Sequence, residues 1–366
     1  MNNIPVYEPY LIGNEKKYVN QCLDSNWISS KGEFINKFET KFASYIKVKH
    51  ATTVSNGTVA LHLALMALSI RKGDEVILPT LSYVASANSV KYVGAKPVFV
   101  DSEKDSWNID PKKIEARITS KTKAIMAVHL YGAICNVKEL KKICEKNNLY
   151  LIEDVAEGFG TKYNNKYAGT FGDVSTFSFY GNKTITTGEG GMVVSNDKKV
   201  IEKVKYLKNQ AVSNTKEYWH DDVGYNYRMT NICAAIGLAQ LENADLIIKK
   251  KIQISCWYKK FLTDSNVNFQ KESTNSLHSF WMISIIVENK KLRDEIRQEL
   301  KNNNIETRPL FPPMHTLPMY LEDNSYQIAE SLSERGINLP SYPGLNIDQV
   351  SRICKIINKT IKKIML

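Results

Sequence analysis

Short apolar runs alternate with helical patterns through the first two-thirds of the chain. The apolar runs predict β-strands over residues 75–79, 96–101, 124–131, 150–154, 174–180 and 192–195. Helical spacing predicts helices over residues 82–94, 137–147 and 198–208. Strands that are apolar on both faces, and that alternate with helices, are typical of a largely parallel sheet covered on both sides. We therefore expect an α/β protein with a mostly parallel central sheet.

One helix and the last third of the chain depart from this alternation. Residues 58–68 are apolar nearly all round, which predicts a buried helix. A linking helix is expected near residues 231–262. Beyond it the pattern predicts a strand and two helices, over residues 280–287, 290–303 and 348–363. We thus expect a large α/β domain over residues 1–245, which includes the N-terminal segment, and a smaller C-terminal α+β domain over residues 246–366.

The composition is that of an ordinary globular protein. Of the 366 residues, 43% are hydrophobic and 24% are charged, which excludes global disorder. No apolar run reaches about 18 residues, so no membrane span is expected. The N-terminus lacks the basic and apolar regions of a secretory signal, and a cytoplasmic location is expected. The six cysteines form no CxxC pair, which favours reduced thiols, and no metal site is expected.

The charge balance is the unusual feature of the composition. The 49 Lys and Arg residues against 38 Asp and Glu give a formal net charge of +11. Such an excess is typical of proteins with an anionic partner, which could be nucleic acid, a phosphorylated small molecule or an acidic membrane surface. No helix-turn-helix extension, zinc module or aromatic RNA-binding string accompanies the charge. A nucleic-acid-binding protein or a cofactor-binding regulator is therefore the weaker alternative to an enzyme.

The segment from Ser55 to Thr58 lies where the predicted buried helix begins. Backbone N–H groups at Gly57, the Thr58 hydroxyl and the positive end of the helix dipole suit a phosphate group. An ordinary N-cap by Ser55 or Asn56 explains the same residues without a ligand. Taken alone, this segment leaves both interpretations open.

Two carboxyl groups follow a buried strand. Asp154 ends the strand predicted over residues 150–154, and Glu157 lies three residues further on. Parallel sheets bind ligands at the carboxyl ends of their strands, where a carboxylate can pair with a cation such as a protonated pyridine nitrogen. Capping of the next turn is an equally good explanation for these groups.

A lysine lies between a strand and a glycine-rich segment. Lys183 follows the strand predicted over residues 174–180, stands five residues after Ser178 and precedes the segment 186–191. This placement suits covalent bonding to an aldehyde, with Ser178 at a phosphate. A surface lysine beside a flexible turn is the alternative. Together the three segments suit pyridoxal phosphate. The turn at residues 55–58 can bind its phosphate, the acid at the end of the strand can pair with its ring nitrogen, and the lysine of the Ser-x4-Lys pattern can bond to its aldehyde.

Longer strings in the chain resemble a known family. They include ATTVSNGTVALHLAL (51–65), GTFGDVSTFSFYGNKTITTGEGGMVVSN (169–196) and YWHDDVGYNYRMTNICAAIGLAQLE (218–242). Through these strings the chain is similar to the fold-type I pyridoxal-phosphate enzymes of the DegT/DnrJ sugar aminotransferase family. The resemblance implies an aspartate aminotransferase-like fold. It also implies pyridoxal 5′-phosphate as the cofactor, with pyridoxamine phosphate in the second half of the reaction.

The resemblance also implies roles for individual residues. Lys183 is expected to be the catalytic residue that bonds covalently to the cofactor, Asp154 to pair with its ring nitrogen, and Glu157 to lie near its ring hydroxyl. The other cofactor contacts that it implies are Gly57, Thr58 and Ser178 at the phosphate, Tyr83 over the ring face, and Asn226 at the phosphate in a second subunit. The substrate contacts that it implies are Arg228 for the amino-donor carboxylate in a second subunit, and Trp27, Ser29, Arg308 and His315 for the nucleotide-sugar.

The reaction expected from the resemblance is a transamination. L-Glutamate is the expected amino donor, and the 4-keto group of GDP-4-keto-6-deoxy-D-mannose is the expected acceptor, for synthesis of a cell-surface polysaccharide such as O-antigen. Lysine rather than histidine at position 183 favours transamination over dehydration within the family. A transaminase for a UDP- or dTDP-linked keto sugar is the alternative. The expected assembly is a homodimer with shared active sites, with a tetramer left open and no nucleic acid or membrane as partner.

Overall fold

The computed structural model describes residues 3–263 and 266–365, with the side chain of residue 365 left out. The helices of this part are α1 (Glu15–Asp24), α2 (Glu33–Ile46), α3 (Gly57–Ala67), α4 (Ala85–Tyr92), α5 (Val137–Asn147), α6 (Lys198–Lys208), α7 (Asn231–Glu242), α8 (Ala244–Phe261), α9 (Lys290–Asn302), α10 (Gln327–Arg335) and α11 (Ile347–Met365). The strands are β1 (His50–Val54), β2 (Glu75–Pro79), β3 (Lys96–Val100), β4 (Thr122–Val128), β5 (Tyr150–Asp154), β6 (Lys162–Tyr163), β7 (Lys166–Tyr167), β8 (Val174–Ser178), β9 (Gly191–Ser195), β10 (Asn268–Phe269), β11 (Ser276–Leu277), β12 (Ile283–Ile286), β13 (Arg308–Pro309) and β14 (Gly336–Leu339).

A seven-stranded sheet forms the centre of the larger part of the chain. Its strand order is β1-β9-β8-β5-β4-β2-β3, and the five strands from β8 to β3 run parallel. Strand β9 is antiparallel to both of its neighbours, β8 and β1. The register pairs Val128 with Asp154 and Asp154 with Thr176, so the ends of β4, β5 and β8 meet at one edge. This edge is where an α/β sheet offers room for a ligand.

Apolar side chains cover both faces of this sheet. On one face, Phe42 of α2 packs edge-on against Phe177, with ring centroids 4.9 Å apart, and Phe38 lies 5.3 Å from Phe179. On the other face lies α3, whose leucine side chains are almost fully buried. A helix that is apolar all round needs cover on every side, and α6, α4 and the sheet supply it. The predicted buried helix is thus confirmed.

Helix α5 shows how sequence sets an element's limits. The Asn136 side chain accepts a hydrogen bond from the Glu139 N–H (3.3 Å), which caps the first turn. The helix ends at Asn148, which adopts the left-handed conformation with φ 53°. Leu140 and Cys144 face the sheet and are buried. Polar side chains occupy the other face, so the amphipathic pattern and the capping residues agree.

A second sheet, antiparallel and with strand order β10-β12-β14-β13, organises the C-terminal part. Helices α9 and α11 pack beside it. Helix α8 joins the two parts: Ile247 lies in the core under the large sheet, whereas Ile254 and Tyr258 lie in the core of the small one. Ile4 also packs into the small core and pairs with Ile305. The division at residue 245 stays a prediction.

The structure shortens the predicted strands 174–180 and 280–287 to β8 and β12 and the predicted helix 82–94 to α4, and it differs more strongly in two places. The linking helix expected near 231–262 is two helices, because the chain turns at Asn243 (φ −108°, ψ 11°) between α7 and α8. The strand expected over 124–131 ends at Val128, because Tyr131 adopts φ 56°, which a strand does not accommodate. In the described part of the chain, no helix combines the length and apolar character needed to cross a membrane.

Candidate active site

The turn between β1 and α3 forms one end of the site. The Asn56 side chain caps α3 by accepting a hydrogen bond from the Val59 N–H (3.0 Å). Gly57 begins the helix, and a Cβ at this position would lie only 2.7 Å from the Cβ of Ser178. Only glycine therefore lets the first turn of α3 approach the end of β8. The unpaired N–H groups of that turn and the hydroxyls of Thr58 and Ser178 form a place for an anion.

Asp154 lies at the carboxyl end of β5 and is buried. One carboxyl oxygen accepts a hydrogen bond from the Ser86 hydroxyl (2.8 Å), and the other accepts one from the Ala156 N–H (3.1 Å). Burial raises the pKa of Asp154, while these hydrogen bonds and the Lys183 ammonium act in the opposite direction. A cation bound against this carboxylate would favour its ionised form. The group is thus oriented and prepared to pair with a buried positive charge.

Lys183 follows β8 in a turn closed by a hydrogen bond from its N–H to the Tyr180 carbonyl (2.9 Å). Its Nζ lies 3.9 Å from the ring centroid of Trp281, which comes from the C-terminal part of the chain. Burial lowers the pKa of the Lys183 amine, and the carboxyl groups of Glu157 and Asp154 oppose that effect. A lower pKa leaves more neutral amine at neutral pH, and neutral amine is the form that acts as nucleophile or base.

Glu157 is buried three residues beyond Asp154. Its Oε2 accepts a hydrogen bond from the Tyr131 N–H (2.8 Å). Burial raises the pKa of Glu157 to about 7, with the nearby Lys183 ammonium lowering it and Asp154 raising it further. The group therefore exchanges a proton near neutral pH and can either donate or accept a hydrogen bond.

These groups surround one cavity of about 630 Å³ at the carboxyl edge of the sheet. Of the residues predicted to touch the cofactor, the cavity is lined by Gly57, Thr58, Tyr83, Asp154, Glu157, Ser178 and Lys183. The cavity therefore brings together, from four separate segments of the chain, a turn that can bind an anion, a buried carboxyl group and an amine.

The arrangement fits pyridoxal phosphate. The close approach of Gly57 to Ser178 leaves backbone N–H groups open to a phosphate, and Asp154 offers a negative charge to a protonated ring nitrogen. The Lys183 amine lies in the same cavity. The Oδ1 atom of Asn182, also on the cavity wall, is buried and has no hydrogen-bond partner among the described residues, which is the expected state of a group that contacts a ligand.

Comparison with known proteins identifies the family. Residues 9–358 match the DegT/DnrJ/EryC1/StrS aminotransferase family. The chain belongs to this family. This aminotransferase is 57% identical over 360 residues to the GDP-perosamine synthase of Escherichia coli O157:H7, which is 98% of this chain and 99% of that protein. It is 56% identical over 359 residues to the GDP-perosamine synthase of Vibrio cholerae, covering 97% and 98% of the two chains.

Solved structures agree with the family assignment. The PLP form of the Streptococcus pneumoniae protein Spr1654 superposes on this aminotransferase with a TM-score of 0.94 at 27% identity, covering 99% of this chain and 100% of that one. The predicted fold type, family and enzyme class are thus confirmed. The cofactor of this aminotransferase is pyridoxal phosphate, and its substrates are small molecules.

The predicted second-subunit contacts lie on the surface of the aminotransferase, outside its own cavity. Asn226 is exposed, and its Oδ1 accepts hydrogen bonds from Nε (3.1 Å) and from a terminal nitrogen (2.9 Å) of Arg228. Another Arg228 nitrogen donates to the Asn209 side chain (2.9 Å). Between these two residues Tyr227 points the other way and lines the cavity. Alternation along an extended segment explains why neighbours face opposite sides.

Four further predicted substrate contacts do not line the cavity that the described chain forms. Trp27 is 56% exposed and borders a separate depression, and Ser29 is exposed nearby. Arg308 is exposed and pairs with Glu306. His315 is buried: its Nδ1 shares a hydrogen bond with the Thr80 hydroxyl (2.7 Å) and its Nε2 lies 3.2 Å from Glu330. The roles of Trp27, Ser29, Arg308 and His315 at the sugar stay predictions.

The structure adds cavity residues that sequence reasoning missed. Ser86 orients Asp154, Trp281 contacts the Lys183 amine, and Phe311 lies 5.7 Å from Tyr83, ring to ring. Ser86 was within reach of sequence reasoning, because it lies one helical turn after Tyr83. Nothing in the local sequence marks Trp281, which comes more than 95 residues beyond Lys183, whereas Phe311 stands between Arg308 and His315, both of which were expected at the sugar.

Proposed function

We propose that this aminotransferase moves the amino group of L-glutamate to C4 of GDP-4-keto-6-deoxy-D-mannose, giving GDP-perosamine and 2-oxoglutarate. The observation that carries amino transfer is the Lys183 amine in one cavity with Asp154, Glu157 and an anion-binding turn. The identity of the sugar rests on the two full-length relatives named GDP-perosamine synthase, each identical to this chain at more than half of its positions.

In this proposal, Lys183 is the residue that bonds to the cofactor and then moves protons. Bound pyridoxal phosphate supplies an electron sink and a temporary carrier for the amino group. The neutral Nζ of Lys183 takes the proton from the α-carbon of L-glutamate in the first half of the reaction. In the second half the protonated Nζ returns a proton to C4 of the sugar. Burial, which lowers the pKa of Lys183, favours the neutral form needed for the first step.

The other cavity residues hold and orient the reacting groups. The Asp154 carboxylate, fixed by Ser86 and the Ala156 N–H, would hold a proton on the ring nitrogen. Glu157 would serve the ring hydroxyl, with which a carboxyl group with a pKa of about 7 can share a proton. The first turn of α3, with Thr58 and Ser178, would hold the phosphate. Tyr83 would cover the ring and keep water away from the reacting atoms.

We also propose that the working form is a homodimer. Asn226 and Arg228 lie outside the cavity of their own chain, which supports a contact between them and a second chain. The stretch just before them exposes apolar side chains, with Tyr218 97% and Val223 80% exposed. Exposed apolar side chains of this kind favour cover by another protein surface. Sedimentation of the purified enzyme tests the dimer, and fractionation of expressing cells tests the expected cytoplasmic location.

The sugar assignment is tested by offering the enzyme three keto sugars. Purified enzyme with L-glutamate and GDP-4-keto-6-deoxy-D-mannose is expected to form an amino sugar detectable by mass spectrometry, and a Lys183→Ala variant is expected to form none. UDP- and dTDP-linked 4-keto-6-deoxy sugars serve as the comparison. If the enzyme turned over the UDP- or the dTDP-linked sugar and not the GDP-linked one, that sugar would replace the GDP-sugar as the proposed acceptor. Turnover by Lys183→Ala would refute the proposed role of the lysine.

A further inference from the structure

Two side chains from distant parts of the chain hold the backbone that carries Lys183. The Tyr7 hydroxyl donates a hydrogen bond to the carbonyl of Lys183 (2.5 Å). The indole N–H of Trp281 donates one to the carbonyl of the preceding residue, Asn182 (2.7 Å). Two consecutive carbonyl groups are thus bound by side chains that lie 176 and 99 residues away in sequence. Neither hydrogen bond is part of the backbone hydrogen bonding of β8 or of the turn that follows it.

The segment that carries Tyr7 is itself fixed to the C-terminal sheet. The Val6 N–H donates to the Glu306 carboxylate (3.0 Å), and the Val6 carbonyl accepts from the Ser341 N–H (3.2 Å). Ile4 pairs with Ile305 beside them. Tyr7 therefore has a defined position relative to the small sheet, and its ring packs against apolar residues of both parts of the chain.

A buried lysine, Lys251 of α8, lies over the Tyr7 ring. Its Nζ donates to the Ser341 carbonyl (2.5 Å) and lies 5.2 Å from the centroid of the Tyr7 ring. Burial lowers the pKa of Lys251 to about 7. Burial also raises the pKa of the Tyr7 phenol, so the hydroxyl keeps its proton and stays a donor. The arrangement links α8, the small sheet and the backbone of Lys183 through one phenol.

The proposed chemistry makes a fixed backbone at Lys183 useful. One amine has to reach the cofactor, then the α-carbon of the donor, then C4 of the sugar, all from one backbone position. If the backbone shifts, all three distances change together, and a misplacement of about 1 Å can cost about 100-fold in rate. Groups that fix a catalytic side chain without touching the substrate are a general requirement of such sites.

We propose that Tyr7 is a positioning residue for Lys183, which it holds through the hydrogen bond to the lysine's own carbonyl, with Trp281 holding the preceding carbonyl. This inference rests on the proposed role of Lys183. It does not depend on which sugar is the acceptor, because the reaction with L-glutamate already uses the lysine.

The test compares two tyrosine variants of the enzyme loaded with pyridoxal phosphate. Tyr7→Phe removes only the hydroxyl that binds the Lys183 carbonyl. Tyr320→Phe is the matched control, since Tyr320 is buried, its hydroxyl donates to the side-chain oxygen of Asn88 (2.6 Å), and it is not among the described residues that line the cavity. Both changes cost one hydrogen bond of similar strength, so both lower thermal stability to a similar degree. Only Tyr7→Phe is expected to affect the lysine.

Two readouts separate positioning from stability. In single turnovers with L-glutamate, Tyr7→Phe is expected to react about tenfold more slowly than wild type, and Tyr320→Phe within about twofold. The midpoint of the pH titration of the visible cofactor band is expected to move by about half a pH unit or more in Tyr7→Phe and to stay unchanged in Tyr320→Phe. A structural role alone would leave this midpoint unchanged. Equal rates and equal midpoints in the two variants would overturn the proposal.

A second variant covers the case in which Tyr7→Phe does not fold. Trp281→Phe keeps an aromatic ring near Nζ and removes the donor to the Asn182 carbonyl. The same slower single turnover and the same shift of the midpoint are expected, and wild-type behaviour would count against the proposal. Lys183→Ala identifies a failure of a different kind: if this variant kept a borohydride-reducible cofactor band, the proposed role of Lys183 would be wrong, whatever Tyr7 did.

Discussion

Replacing Glu157 by glutamine is expected to stabilise the cofactor-free enzyme in a way that depends on pH. Glu157 is buried beside Asp154, and its pKa is raised to about 7 from the usual value of 4.5. The folded protein therefore keeps the proton up to about pH 7, whereas the unfolded chain loses it near pH 4.5. As the pH rises through this interval, ionisation favours the unfolded state and the folded state loses stability. Glutamine has the same shape and never ionises.

The size of the stability change follows from the difference between the pKa of Glu157 in the unfolded chain and its pKa in the folded protein. At about 1.36 kcal/mol for each pH unit, the penalty on the folded wild-type protein is about 3 kcal/mol at pH 8 and about 1 kcal/mol at pH 5. The amide oxygen of the introduced glutamine would still accept the hydrogen bond from the Tyr131 N–H that Glu157 accepts at 2.8 Å. The difference in unfolding free energy between Glu157→Gln and wild type should therefore grow by about 2 kcal/mol between pH 5 and pH 8.

Urea unfolding of cofactor-free protein at one fixed concentration measures this difference. Glu334→Gln is the control, because Glu334 is exposed on α10 and its replacement changes the same charge. The control should follow wild type at both pH values. A Glu157→Gln variant that is less stable than wild type at pH 8, or that differs from wild type by the same amount at pH 5 and pH 8, would show that Glu157 does not carry this pH-dependent penalty.

Three further changes test other parts of the structure. Gly57→Ala places a Cβ 2.7 Å from that of Ser178 and is expected to weaken pyridoxal phosphate binding by about tenfold or more in an absorbance titration, whereas Gly181→Ala, where a Cβ meets nothing within 4 Å, should bind normally. Asp154→Asn removes the charge opposite the ring nitrogen and is expected to slow the reaction with L-glutamate by about 100-fold in single turnovers, so an unchanged rate would count against its role. Lys251→Met removes a buried amine whose pKa is about 7. The unfolded chain binds the ammonium proton more tightly than the folded protein does, so protonation favours unfolding as the pH falls. In urea unfolding, the gain in unfolding free energy from Met should therefore be about 2 kcal/mol larger at pH 7 than at pH 9.

Local patterns were enough to predict most of the elements that carry the site. The strand that ends at Asp154, the helix that begins near Gly57 and helix α5 lie where the pattern of apolar residues and caps placed them. In these segments, the secondary structure that the local sequence favours is also the one that packs into the core. The single helix expected across Asn243 was wrong, because apolar residues continue on both sides of a turn and the pattern gives no sign of it.

The side chains around Lys183 could be predicted only in part. Asp154, Glu157 and Ser178 are attached to strands whose carboxyl ends meet, so a parallel sheet brings them together once its strand order is fixed. His315, whose expected role at the sugar stays a prediction, has its ring buried between Thr80 and Glu330. Burial of a polar ring depends on partners from distant segments, and one sequence does not say which partners these are.

The family, the cofactor and the chain order of the phosphate-binding turn, the acid and the lysine could be predicted without coordinates, because each depends on short stretches of chain with a local chemical purpose. The residues that surround the lysine could not, because they come from distant segments. Trp281 and Tyr7 reach the backbone at Lys183 from opposite ends of the chain, and Arg228 turns away from its own cavity while Tyr227 turns into it. Such contacts form when remote segments pack together. Hydrophobic burial drives that packing and is non-directional, so a local sequence pattern does not show which segments will meet.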